Sequence, residues 1–474
     1  MPTNKTAPLL LAALLACCAP APMRLAAPPS DSPFQASYSA GTRDAAGRFM
    51  GGTELRNLTV HSGQLYAGIG YWEDRPGFEG PQGATILVLD GPTASWRVEH
   101  VFDARMPDGR MRDFAISALQ SVRFTTDRNG ATLPTPVDIL LASSWDRTGT
   151  DAIFSRDDAT RMWTTTVLSQ DRTASDFLPQ VRSFGMHRDR QTGVDRVFAG
   201  TDPRGIFSGA LDPAVPGRIA WSAEPEFDPR TRRVDAFPGL AGRLRISSFA
   251  ECNGALYAAV GQQVWQRIDG PAPRWQLRYT NPHPFYSQTG LRGLTAIADP
   301  AGNGQVLLAA VEGNHARIVR IDPRDGSEAT DLDLGALLDR AWQTRVSYMI
   351  AAYNDMTPLR DNRGAEVLLI GLEAYIPPGA PRPPGHAVLD VLHGLEGGAW
   401  YLVRHADGGY DLHLVTASLP GIGSNLVSTR TIVASPFAGD PSVYLGGYDA
   451  NGTAAHNTAW IARAPIDAVL REAR

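Results

Sequence analysis

Seven copies of one short apolar pattern run through the 474 residues, and any fold of this chain has to place all of them. Each copy is an apolar tetrad that ends in a small residue. They are Leu65-Tyr66-Ala67-Gly68, Leu140-Leu141-Ala142-Ser143, Val197-Phe198-Ala199-Gly200, Leu256-Tyr257-Ala258-Ala259, Leu307-Leu308-Ala309-Ala310, Leu368-Leu369-Ile370-Gly371 and Val443-Tyr444-Leu445-Gly446. Their start-to-start spacings are 75, 57, 59, 51, 61 and 75 residues. The surroundings recur as well. An alternating stretch such as Leu58–Val60, Val122–Phe124, Phe184–Met186 or Leu294–Ala296 comes before the tetrad. Between them lies a turn that accepts positive φ, as at Ser62-Gly63, Asn129-Gly130, Asn253-Gly254 and Asn303-Gly304. A further strand follows, as in Ile86–Asp90, Ala152–Ser155, Val264–Ile268, Arg317–Ile321, Trp400–Val403 and Trp460–Ala462, and a fourth opens on Trp96, Trp163, Trp221 and Trp275.

Four strands repeated seven times predict an all-β chain, a seven-bladed β-propeller over residues 34–464. A four-stranded blade has two apolar faces that it cannot cover alone, and small residues let its neighbours approach. Six or eight blades are the rival counts, because the first and sixth repeats are long. The last repeat shows three strands ending near Arg463, so the isolated strand Phe34–Tyr38 is expected to complete it and lock the ring. Residues 465–474 read as a short C-terminal helix. Asp90 to Trp96 and Asp269 to Trp275 resemble Asp-box and sialidase-type propellers. The full Ser-x-Asp-x-Gly-x-x-Trp pattern occurs nowhere, so the resemblance implies architecture and transfers no catalytic residue.

The N-terminus reads as an export signal. Lys5 precedes an apolar run from Ala7 to Ala16 that is too short to span a bilayer. It ends in Leu14-Leu15-Ala16-Cys17, which resembles the lipobox of bacterial lipoproteins; cleavage near Ala21 or Ala27 is the alternative. The layout is then a signal peptide over 1–16, lipidation at Cys17 and a Pro- and Ala-rich tether over 17–33. The expected location is extracytoplasmic, on the cell envelope or secreted, with the membrane reached only through the lipid.

Composition narrows the chemistry. Cys252 is the one cysteine beyond Cys17 and Cys18, so there is no disulfide framework and no cysteine–histidine zinc spacing. After Lys5 every basic side chain is arginine, which closes Schiff-base, lysine-base and Walker-type lysine chemistry. The formal net charge of −5 argues against a nucleic-acid partner. There is no GxSxG, HExxH, GxGxxG or P-loop. No cofactor is implied; Asp322–Gly326 and Asp449–Gly452 look weakly calcium-like but fall where hairpin turns belong.

Candidate site residues come from two series and from what breaks them. Arg56, Arg182, Arg292 and Arg430 recur at the start of the first strand, with Gln120 and Ser247 in that place in the second and fourth repeats and Arg245 nearby. Carboxylates recur just past the tetrad at Asp146, Asp202, Glu312, Glu373 and Asp449. The arginines could form a cationic ring for an anionic ligand such as a uronate, or each could pair with a carboxylate. Residues outside the repeat are the stronger site candidates: Tyr71 and Trp72 as an aromatic platform, His283 and Tyr286 between prolines and a glycine, His315 beside Glu312, and Tyr353-Asn354-Asp355 at the end of the sixth first strand. His283, Tyr286 and Tyr353 are the candidates for catalysis.

The function expected is binding of an extracytoplasmic ligand, a carbohydrate or a small anion, by a monomer at its elaborated loop face. The alternatives are a glycan-cleaving enzyme, lyase or glycosidase, and an envelope scaffold for protein partners.

Overall fold

The computed structural model describes residues 32–71, 82–170, 180–202, 204–232, 244–283, 290–377, 379–381, 389–391, 394–419, 426–447 and 457–471. Among them the chain is almost entirely strand, with two short α-helices at Leu334–Trp342 and Ile466–Val469. The second covers only part of the C-terminal helix expected over 465–474.

Every tetrad lies in the second strand of an antiparallel run. These strands are Gln64–Gly70, Thr132–Asp146, Asp195–Asp202, Ala255–Val260, Gln305–Val311, Glu366–Ile376 and Ser442–Gly447. Each pairs on one side with the strand before it: Glu54–His61, Asp113–Thr126, Gln180–Arg188, Ile246–Cys252, Leu291–Ala298, the split pair Tyr348–Ala351 and Thr357–Arg360, and Thr429–Ala434. On the other side it pairs with the strand after it. Trp221 ends its fourth strand, Ile219–Trp221, instead of opening it as expected.

The arrangement is propeller-like, but separate blades number five, not the seven expected. Two causes are visible. The first and second repeats fuse into one eight-stranded sheet through the pair Gly70↔Ala115. Gly70 permits this because a Cβ there would lie 2.3 Å from the Ala115 Cα. The sixth repeat has its first strand broken in two and carries an added hairpin, Leu389–Val391 with Gly394–Glu396, making a seven-stranded sheet.

Packing nevertheless follows the repeat. Alternate side chains of each tetrad enter apolar cores on its two faces, and one core lies at each junction between successive repeats. The last of these joins Tyr444 and Ile461 to Leu65, Ala67 and Leu87, so the seventh repeat packs on the first. The small residue ending the tetrad has a mechanical reason. Added Cβ atoms at Gly68, Gly200 and Gly446 would lie 2.5–2.6 Å from Ile116, Ile246 and Leu55 of the next repeat's first strand. The chain ends meet in one sheet, where Gln35–Ser39 pairs with Trp460–Pro465. Most first strands touch the next around the ring, and Thr429–Ala434 touches Glu54–His61 to close it. Those strands surround the centre, where the site is found.

Candidate functional site

A bulge in the first strand aims one side chain of each repeat. The residue just past the tetrad pairs with the first strand at Leu55↔Ile69, Ile116↔Ser144, Val181↔Thr201, Ile246↔Val260, Leu291↔Val311 and Thr429↔Gly447. Directly afterwards the register slips, as bulges make it do, except in the fifth repeat, where Arg292 still pairs with Ala310 and the slip follows it. The residue at the slip is Arg56, Ser117, Arg182, Ser247, Arg292 or Arg430. Ser117, not Gln120, therefore holds the second repeat's place. Odd repeats carry arginine and even repeats a small residue. Ser117 donates to the Val181 carbonyl at 2.7 Å, and Ser247 to that of Leu291, each tying down the strand that carries the next arginine. Because seven is odd, the alternation fails at closure and Arg430 and Arg56 become neighbours.

The sixth repeat departs from the rule. After Ala351↔Leu372, pairing resumes only at Thr357↔Leu369, so five residues, Ala352 to Met356, stand opposite two. Ala352 takes a left-handed φ of 51° to start this excursion. It delivers Tyr353, Asn354 and Asp355 to the middle of the ring.

The arginines do not form an open cationic ring. Each is buried and paired: Arg182 with Asp202 at 3.0 Å, Arg430 with Glu373 at 2.6 Å, Arg292 with Glu312, and Arg56 with Glu54 at 3.3 Å. The Tyr353 ring lies among them, with the guanidinium carbons of Arg430, Arg292 and Arg56 at 3.9, 4.4 and 5.1 Å from its centroid. Burial pushes the phenol up, but Arg56, Arg430 and Arg182 outweigh it and bring Tyr353 down to about 8. Burial, with Arg182 and Arg292 adding like charge, lowers Arg245 to about 10. An ultraviolet difference titration should therefore show one tyrosine ionising near pH 8, and Tyr353→Phe should remove that step. A wild-type titration with no tyrosine below about pH 9.5 would refute the cluster's electrostatics.

Beside this plug lies a channel cavity of about 560 Å³ to which every repeat contributes. Its polar lining includes Asn57, Gln120, Arg182, Ser247, Glu251, Asn354, Asp355 and Thr431. Most of these groups serve the fold. Asn354 donates to the Arg56 carbonyl at 2.6 Å, Thr431 accepts from Leu58 N–H at 3.1 Å, and Glu251 meets His187 at 2.5 Å. Asp355 has no such partner; it is open to the solvent of the channel, and desolvation by the surrounding protein raises its carboxyl to about 6.

Among the described residues, the other candidates do not line this cavity. Tyr71 is buried, its N–H donating to the Phe114 carbonyl, so it offers no open stacking platform. His283 and His315 are exposed. Trp72, Tyr286 and Cys17 lie outside the described residues, as do Asp449 and most of the long loops. Asp322–Gly326 forms a tight turn in which Gly326 N–H donates to the Asp322 carbonyl at 2.8 Å. No group of three or more metal-ligating side chains occurs among the described residues.

Two further arrangements could pass for sites. Ser121, His61 and Asp158 are in series, His61 Nδ1 2.8 Å from the serine hydroxyl and Nε2 3.0 Å from the carboxylate. Their order resembles a hydrolase relay. Two repeats later Glu251, His187 and Asp269 take the corresponding positions, so the device joins adjacent repeats and is structural. A second cavity of about 630 Å³ is lined by Arg112, Asp146 and Gln170 among others, all from the second repeat.

No family model matches the chain, and no curated protein matches it. Among solved structures it is similar to the extracellular domain of the BT4673 one-component system from B. thetaiotaomicron, at 13% identity and a TM-score of 0.45, covering 91% of this chain and 40% of that one. It thus spans less than half of that protein's length. It is also similar to the Dos1 propeller, at 12% identity and a TM-score of 0.39, over 90% of this chain and 82% of that one. A structural-genomics protein from Bacteroides thetaiotaomicron VPI-5482 is similar at 9% identity and a TM-score of 0.35, over 91% and 74% of the two chains.

Proposed function

We propose that this chain is an exported β-propeller that binds a small polar ligand of the carbohydrate class in its central channel. The carrying observation is the cavity itself. Its volume of about 560 Å³ falls within the roughly 300–1,000 Å³ of small-molecule sites, and all seven repeats build it. Its free groups are polar: the Asp355 carboxylate, the Gln120 amide and the Asn57 amide nitrogen, which has no hydrogen-bond partner. Amides and carboxylates are the groups that read sugar hydroxyls. Export rests on the Lys5-to-Cys17 segment, with lipidation at Cys17. Among the described residues no helix is long and apolar enough to cross a membrane.

Calorimetry against a panel of mono- and disaccharides tests the reading. At least one should bind, and Gln120→Ala should weaken it about tenfold, the worth of one hydrogen bond in a desolvated site. A panel without a binder would end it. The lyase reading loses ground because its arginines are already neutralised and Tyr353 is not among the cavity's lining residues. A glycosidase reading keeps one supporting observation: two carboxyl groups, Asp355 and Glu251, share the cavity. Product analysis after incubation with oligosaccharides decides between binding and cleavage.

A further inference from the structure

The sixth repeat alone replaces the one-residue bulge with the five-residue excursion Ala352–Met356. Of the three polar side chains it carries inward, two are used by the fold. Tyr353 is packed among the arginines, and Asn354 holds the Arg56 carbonyl. Asp355 is left facing the cavity with no protein donor. The cavity's other charged side chains are already matched, Arg182 by Asp202 and Glu251 by His187. One negative charge on the cavity wall, open to solvent, therefore has no protein partner. The nitrogen of Asn57, a residue more than nine-tenths buried, also lines the cavity and lacks an acceptor.

The geometry points to a ligand that carries an ammonium group, an amino sugar on the reading above, with Asp355 as the counter-ion and Asn57 and Gln120 reading adjacent hydroxyls. This deepens the carbohydrate reading and rests on it for the hydroxyl contacts only. The pH dependence follows with its sign. Burial raises Asp355 to about 6, so the carboxyl is ionised above that pH and neutral below it. Preference for an ammonium ligand should be present near neutrality and lost on acidification.

The test uses glucosamine, glucose and ethanolamine as probes, titrated into the chain from Ser32 onward at about pH 7 and about pH 5. Glucosamine should bind at least about tenfold more tightly than glucose at the higher pH, and the ratio should fall toward one at the lower pH. Asp355→Asn should bring the ratio near one at both, with Asp355→Ser as a second variant and near-ultraviolet circular dichroism to confirm folding. Equal affinity for glucosamine and glucose in the wild type, or a preference that survives both variants, overturns the proposal. Ethanolamine binding without saccharide binding would keep the ammonium site and remove the carbohydrate reading; if neither amine binds, the ammonium site falls whatever glucose does.

Discussion

A chain that starts at Ala40 is expected to lose most of the stability of one that starts at Ser32. The missing strand, Gln35–Ser39, is the fourth strand of the last repeat and pairs with Trp460–Pro465. Its loss leaves Trp460 to Arg463 as an open edge. It also removes two buried aromatics: Phe34, edge-on to Tyr401 at 6.3 Å, and Tyr38, edge-on to Trp96 at 6.4 Å. The Tyr38 hydroxyl donates to the Met50 carbonyl at 3.2 Å, and Trp96 donates to Ser37 at 3.0 Å. Truncating a buried aromatic costs about 3–5 kcal/mol. Two of them approach the whole stability of a domain, about 5–15 kcal/mol. Thermal melts should show a loss of about 10 °C or more, or no soluble protein at all. Coincident melts for the two chains would mean that the strand is not what closes the ring.

Arg267→Ala is expected to be the most damaging single substitution. Arg267 is fully buried in the fourth repeat and meets Glu226 at 2.7 Å, Asp189 at 2.9 Å and Asp269 at 2.6 Å. Glu226 and Asp189 belong to the third repeat, so one guanidinium clamps the junction. Two other even repeats place an arginine in the same way: Arg156 to Glu99 and Arg404 to Asp331, both at 2.7 Å. Removing one partner of a buried ionic group costs about 3–5 kcal/mol, because the remaining charges stay desolvated. Burial raises Asp189, but backbone donors and Arg267 outweigh that and hold it far below the usual carboxylate range. Its contribution is thus complete above about pH 4 and lost as pH falls further. In the variant Asp189 keeps its burial but loses the guanidinium that helps hold it low, so it protonates more readily and the deficit should be largest near neutrality and shrink on acidification. Urea unfolding of both proteins at about pH 7.5 and about pH 5.5 measures this. A pH-independent deficit would show that lost packing, not charge, is responsible.

The ring was legible in the sequence because its driving force is periodic. The tetrads place apolar groups on two faces and a small residue where the next strand approaches, and that pattern survives large differences in loop length. What the sequence hid was aperiodic or depended on register. Counting from the first apolar residue set Gln120 beside the arginines, whereas the bulge places Ser117 there; an inserted residue breaks any fixed count. The fusion of two repeats at Gly70 depends on one missing Cβ, which no repeat pattern signals. The helix Leu334–Trp342 did leave a trace in Leu334, Leu338 and Trp342 at helical spacing behind the Asp333 cap, obscured by the expectation of strands throughout. Tyr353-Asn354-Asp355 was visible as a departure from the repeat, but its place in the channel follows only from the five-against-two pairing. Arg267 was not legible, since its three carboxylates come from three separate segments.

Amide hydrogen exchange with and without saturating glucosamine tests most directly whether the centre of the ring is where ligand sits. Slowed exchange is expected at Ala352–Met356 and at Asn57–Thr59, with little change around Arg112, Asp146 and Gln170. Protection at that second cavity, or none near Asp355 while ligand is bound, would contradict it.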